Sequence, residues 1–167
     1  WCVGILNVGC KRIALLTTED YVSVGSLRKE GYIKALTSKG IAIDENLIFK
    51  LDDNKDLTPQ IEKVFDVPNP PDGILAVNEI YAANALIIAK KRGLSIPEDI
   101  AIIGFTSGLI SKFTSPPLTC VEQHGFLMGK QAAELLINRI ENNAPLVFQK
   151  EVISTNLKIR KSTSLDF

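Results

Sequence analysis

Four short apolar runs, each followed by a stretch of different period, constrain this chain more than any other feature. They are RIALLT (12–17), NLIFKL (46–51), GILAV (73–77) and IAIIGF (100–105). Each is continuous rather than alternating, so a strand built from it needs cover on both faces, as strands of parallel sheets do. Between the runs lie helical patterns. Val24, Leu27, Gly31, Tyr32, Ala35 and Leu36 recur at helical spacing over 23–39, with Gly40 placed to end the helix. DLTPQIEKVFD (56–66) carries Thr58 and Pro59 at the start of a second helix, and 79–92 makes a third, closed by Gly93. This alternation predicts an α/β fold: a doubly wound, mostly parallel sheet with helices on both faces. After it come a loop (106–117), a short strand near 118–121, a helix over 125–141, and strand-like segments around 146–153 and 156–159.

The 167 residues fit one domain or one lobe of something larger, and 46% hydrophobic content supports a sizeable core. Lys+Arg and Asp+Glu stand at 19 each, for zero formal net charge, which argues against this chain alone gripping nucleic acid. Cys2, Cys10 and Cys120 are scattered and read as reduced thiols of a cytoplasmic protein, not as a zinc site. No run approaches the roughly 20 apolar residues of a membrane span. WCVGILNVGC lacks the basic flank of a secretory signal and reads as a truncated helix; a start at Trp1 suggests a fragment.

Chemistry-bearing motifs are sparse. His124, the single histidine, has no nucleophile motif near it, and neither a phosphate-binding loop nor a dinucleotide fingerprint is present. An enzyme is therefore not expected, and no catalytic residue, cofactor or metal is assigned. Open parallel sheets place their ligand crevice beyond the carboxyl ends of the strands. Three polar clusters fall there: Thr17 to Asp20, Asn78-Glu79 and Thr106-Ser107. Asn78 also suits a helix N-cap, which is compatible with ligand contact. Arg28 lies one helical turn from both Val24 and Tyr32, where a guanidinium either clamps a ligand or snorkels to solvent.

The combined pattern PDGILAVNEIYAANALIIAKKRGLSIPEDIAIIGF, then SPPLTCVEQ and MGKQAAELLINRI, resembles the effector-binding core of LacI/GalR-type bacterial transcription regulators. GCKRIALL and SLRKEGYIKALTSKGI match the same family, with Cys10 where a histidine is usual and Gly125 where some members have an aromatic. The resemblance runs from about residue 5 to 163. It implies a periplasmic-binding-protein-like type I lobe that binds a small effector, often a sugar or nucleobase, and signals to an N-terminal operator-binding head. That head and the first stretch of the N-terminal lobe are missing from the pattern. On this resemblance 1–122 form the C-terminal lobe, 123–145 a crossover and a helix that packs on the N-terminal lobe, and 146–167 the returning strands and tail. Family contacts map onto Arg28, Asn78, Thr106 and Gln123, with Val24 nearby. Members commonly carry Asp where Thr106 stands, to hold sugar hydroxyls, so a typical sugar is not implied. The alternative is an extracytoplasmic solute-binding protein of the same fold.

Two surfaces complete the reading. Helix 79–92 is apolar nearly all round, and Leu109, Ile110 and Phe113 make the following loop unusually apolar. With Tyr81, Ala82 and Ala83 they are expected to form a two-fold interface, as in the resembled family. In helix 125–141, Phe126, Gly129, Ala132, Ala133, Leu136 and Ile140 form a stripe expected to dock on the remaining lobe or on another copy.

Overall fold

A computed structural model describes residues 2–106, 108–141 and 149–164. Five parallel strands, β1 (Ile13–Thr18), β2 (Ile48–Leu51), β3 (Gly73–Ala76), β4 (Ala101–Thr106) and β5 (Thr119–Glu122), form one sheet with a sixth, β6 (Asn156–Lys158), antiparallel to β5. The strand order is β2-β1-β3-β4-β5-β6. Successive strands are therefore added first to one side of β1 and then to the other, so the order reverses between β1 and β3, where a doubly wound sheet opens its crevice.

The helices are α1 (Cys2–Asn7), α2 (Ser23–Ser38), α3 (Leu57–Glu62), α4 (Glu79–Lys91), α5 (Ile110–Phe113) and α6 (Gly125–Glu141). Two glycines show which face each covers. A Cβ on Gly73 would meet Ile5 of α1, whereas one on Gly104 would meet Ala82 of α4 at 2.9 Å. Gly73 is in register with Ala101, three residues from Gly104, so the two glycines face opposite sides of the sheet. Helices α1 and α2 cover one face, α3 and α4 the other. The central strands β1, β3, β4 and β5 are mostly buried: Leu15, Leu16, Ile74, Ile102 and Ile103 are at most 2% exposed. Burial of each such side chain stabilises the fold by about 1.5–3 kcal/mol.

Helix ends follow the local chemistry. Gly40 takes φ +69° and Gly93 φ +76°, the left-handed conformation that costs glycine least. After α2, the Gly40 and Ile41 N–H groups bond Thr37 O and Leu36 O; after α4, Gly93 and Leu94 bond Lys90 O and Ala89 O. Both are Schellman ends. Some boundaries differ from the sequence reading. The second strand begins only after a 3₁₀ turn at Glu45–Leu47, because Asp44 takes the Asn46 N–H and winds the chain there. The helix expected over 56–66 is α for one and a half turns and then 3₁₀ over Lys63–Phe65. The loop after β4 contains the one-turn α5. Residues 149–155 carry no strand, and 146–148 lie outside the described residues.

The α6 stripe does not dock on this chain. None of the described α6 side chains is buried; Phe126 is 88% exposed, Leu136 59% and Ile140 68%. Docking on this lobe, one of the two expected covers, is not seen, because both faces of the sheet are already covered by α1 to α4.

Candidate functional site

At the carboxyl edge, the residues after β1, β3, β4 and β5 come together by register: Leu16, Ala76, Gly104 and Cys120 are lateral neighbours, so Thr17, Val77, Phe105 and Val121 form the next row. Arg28, in the second turn of α2, reaches across this row at the switch point. One guanidinium nitrogen donates to the Val77 carbonyl and the other to Gln123 Oε1 at 2.7 Å. The Phe105 ring lies under it, 4.2 Å from the guanidinium carbon to the centroid, a cation–π contact. Burial disfavours its charge and lowers its pKa. No described carboxylate pairs with it. Arg28 is thus a half-buried cation with uncommitted N–H groups, not a snorkelling one.

The second cluster lies at the start of α4. Asn78 Oδ1 accepts the Tyr81 N–H at 2.8 Å and caps the helix. The Thr106 hydroxyl donates to the Glu79 carboxylate and accepts the Gly108 N–H at 2.8 Å. Asn78 therefore links the clusters, adjoining Val77 on one side and Glu79 on the other. Thr106 is itself 4% exposed, so its hydroxyl reaches the edge only through Glu79. Val24 stands 49% exposed in the first turn of α2, with Tyr21 at 82% beside it. Ser107 lies outside the described residues.

Below these clusters, the Thr17 and Thr18 hydroxyls are buried with no hydrogen-bond partner among the described residues. Gly25 explains their crowding: a Cβ there would fall 2.0 Å from Thr18 Oγ1. The opposite edge also has a cavity, of 490 Å³, lined by Cys10, Asp72, Pro97, Glu98 and Thr163 among others. Three of its polar residues, Asp72, Cys10 and Thr163, are already engaged. Asp72 accepts the backbone N–H groups of Lys11 and Arg12, the Cys10 thiol donates to Asp72 O, and Thr163 bonds Thr119.

The residues expected at a two-fold interface divide. Tyr81 and Ala82 turn inward: both are 0% exposed, Tyr81 donating to Asp53 at 2.7 Å and Ala82 packing under Gly104. That corrects their assignment, since a helix packed on a sheet must spend one stripe on its own core. Ala83 is half-buried on the outward side, between Ile80 and Ile87, which are 54% and 53% exposed. Leu109, Ile110 and Phe113 stand out at 65%, 43% and 80% on the neighbouring segment. Sequence reasoning singled out Arg28 and Gln123 separately and did not pair them. It placed Glu79 in a polar cluster at the crevice edge without counting it among the contact residues, and it left Phe105 out.

Comparison with known proteins places this geometry. A family model described as a periplasmic binding protein-like domain matches residues 5–163. The chain is 31% identical over 134 residues to the HTH-type transcriptional repressor CytR of Escherichia coli K12, covering 80% of this chain and 39% of that protein. It is 32% identical over 162 residues to the NTD biosynthesis operon regulator NtdR of Bacillus subtilis, covering 96% and 49%. Among solved structures, the transcriptional regulator CelR–cellobiose complex superposes with a TM-score of 0.85 at 27% identity, over 96% of this chain and 49% of that one. The Escherichia coli transcriptional repressor ascG does so at 0.83 and 26%, over 96% and 58%. The chain spans about half the length of the regulators it matches or less. With its 2-1-3-4-5 parallel order and its match across residues 5–163, this chain belongs to the periplasmic-binding-protein-like family, in the form found in LacI-type transcriptional regulators.

Proposed function

We propose that the chain is the effector-sensing and dimerising portion of a LacI-type regulator, with 1–122 as the C-terminal lobe of the core. The observation that carries this is Arg28, held by Val77 and Gln123 at the switch point with donors to spare. A small effector sits over Arg28, Asn78, Gln123 and the Thr106–Glu79 pair, with Val24 at the rim. In this reading 123–145 cross to a second lobe, which covers the exposed α6 stripe, and 146–167 return. The apolar stripe Ile80, Ala83 and Ile87, continued by Leu109, Ile110 and Phe113, is the two-fold interface of a homodimer. Operator DNA is bound by a separate N-terminal head, and the protein is cytoplasmic and not an enzyme. Among the described residues no helix is long and apolar enough to cross a membrane.

The test is a gel-shift assay of the natural full-length protein on DNA upstream of its own gene. The expected result is a retarded complex whose stability a small molecule changes, with Arg28→Ala keeping DNA binding and losing the response. A secretory leader upstream of this chain, in place of a helix-turn-helix, would establish the solute-binding alternative instead.

A further inference from the structure

Two half-buried carboxylates lie at opposite edges of the sheet, and they are held differently. At the amino edge, Asp72 accepts from two backbone N–H groups at 2.8 to 3.1 Å: that of Lys11, shared between both oxygens, and that of Arg12. Its acceptor capacity is spent on tying β1 to the turn before β3. At the carboxyl edge, Glu79 receives one bond, from the Thr106 hydroxyl, and no cation among the described residues pairs with it. An ionised carboxylate offers about four lone-pair positions, so most of its capacity is free.

Its position is nevertheless fixed from three sides. The backbone is the first turn of α4, where the helix dipole favours a negative charge. Thr106 is buried and is locked in turn by the Gly108 N–H. The Gly108 Cα leaves room where a Cβ would stand 2.9 Å from both Glu79 oxygens. Among the described residues, the two sides of the Asn78 cap therefore present a cation without a carboxylate partner, Arg28, and an anion without a cation, Glu79, while Glu19 and Asp53 lie further along the same edge. An anionic ligand satisfies Arg28 and is repelled by Glu79. A neutral ligand with hydroxyl groups satisfies both, because a hydroxyl accepts from the guanidinium and donates to the carboxylate.

We propose that Glu79, positioned by Thr106 and by the bare Cα of Gly108, is a specificity-determining residue of the effector site: it accepts a hydrogen bond from a hydroxyl of a neutral ligand and excludes anionic ones. This rests on the crevice reading above, and the test separates the two. Calorimetric titrations of the natural full-length protein would use cellobiose, glucose, ribose and uridine as neutral probes, and glucose 6-phosphate and glucuronate as anionic ones. The expected result is binding of at least one neutral probe, more tightly than either anion. Glu79→Gln should weaken that binding about tenfold or more, the loss expected for a hydrogen bond to a charged group. Gly108→Ala, which keeps the carboxylate and displaces it, should weaken it by a smaller factor with an unchanged unfolding midpoint. Wild-type affinity in Glu79→Gln together with loss in Arg28→Lys would overturn the role of Glu79 and leave the crevice intact. Tighter binding of an anion, or binding of no neutral probe, would overturn the proposal as well. Full affinity in both variants would overturn the crevice reading itself.

Discussion

Helices α4 and α6 are both long, both rich in apolar residues, and handled in opposite ways by this chain. In α4, Tyr81, Ala82, Ala85, Leu86, Ile88 and Ala89 are buried, while in α6 no described side chain is. Yet α6 has the cleaner stripe, since α4 is apolar nearly all round. Amphipathicity therefore reports that a helix needs a cover, not where the cover comes from. For α4 the cover is a sheet that precedes and follows it directly in sequence. For α6 the described residues bury no side chain and only half-cover Gln131, Leu135 and Arg139.

The largest test of that contrast is truncation. Leu86→Ala in α4 should cost about 2–5 kcal/mol in urea unfolding of the 167-residue chain, as expected for a buried leucine. Phe126→Ala in α6 should change the same midpoint by less than about 0.5 kcal/mol. A large loss from the second substitution would mean that α6 is covered in solution by another copy of the chain. Next come the glycines. Gly25→Ala drives a Cβ to 2.0 Å from Thr18 Oγ1 and should cost about 1–3 kcal/mol by overpacking. Adding Thr18→Ala to that variant should recover much of the loss, a coupling read by a double-mutant cycle. On α6, Gly129 has nothing within 4 Å of its would-be Cβ, so Gly129→Ala should stabilise the helix by about 0.5–1 kcal/mol, visible as added helical circular dichroism. Removing the α4 cap with Asn78→Ala should cost about 1 kcal/mol.

The smallest expected effect is a pH slope. Burial and the neighbouring Asp72 push the Cys10 thiol up to about 11. A thiol harder to ionise when folded keeps its full stabilisation below the unfolded pKa, near 9, and loses it as pH rises toward 11. Alkylation of Cys10 by iodoacetamide at pH 8.5 should accordingly be slower in the folded chain than in urea.

Much of the fold was legible because its determinants are local. Gly40 and Gly93 terminate α2 and α4 where the sequence places them, and the four continuous apolar runs become β1 to β4. What was not legible depends on distant partners. Arg28 and Gln123 are 95 residues apart, and no spacing rule joins them. The inward turn of Tyr81 is set by Asp53, in a loop that looks solvated when read alone. The stripe of α6 was plain, and its exposure was not, because exposure belongs to the assembled sheet. Glu79 lay in view, but the hydroxyl that anchors it belongs to a buried threonine 27 residues later in the chain.

The exit from β5 and the return into β6 also have a mechanical consequence. The chain leaves the sheet at Gln123 and His124, the latter with φ 52°, and re-enters at Asn156, whose side chain lies 3.1 Å from His124 Nε2. Helix α6 is thus a rod whose amino end stands beside both crossings of the chain. Its 17 residues give a lever of about 25 Å at 1.5 Å per residue, so a turn of about 10° at the mount carries the far end through about 4 Å. Gln123, at the first of those crossings, is the residue that holds Arg28. The partner of the guanidinium therefore stands two positions before the base of that rod.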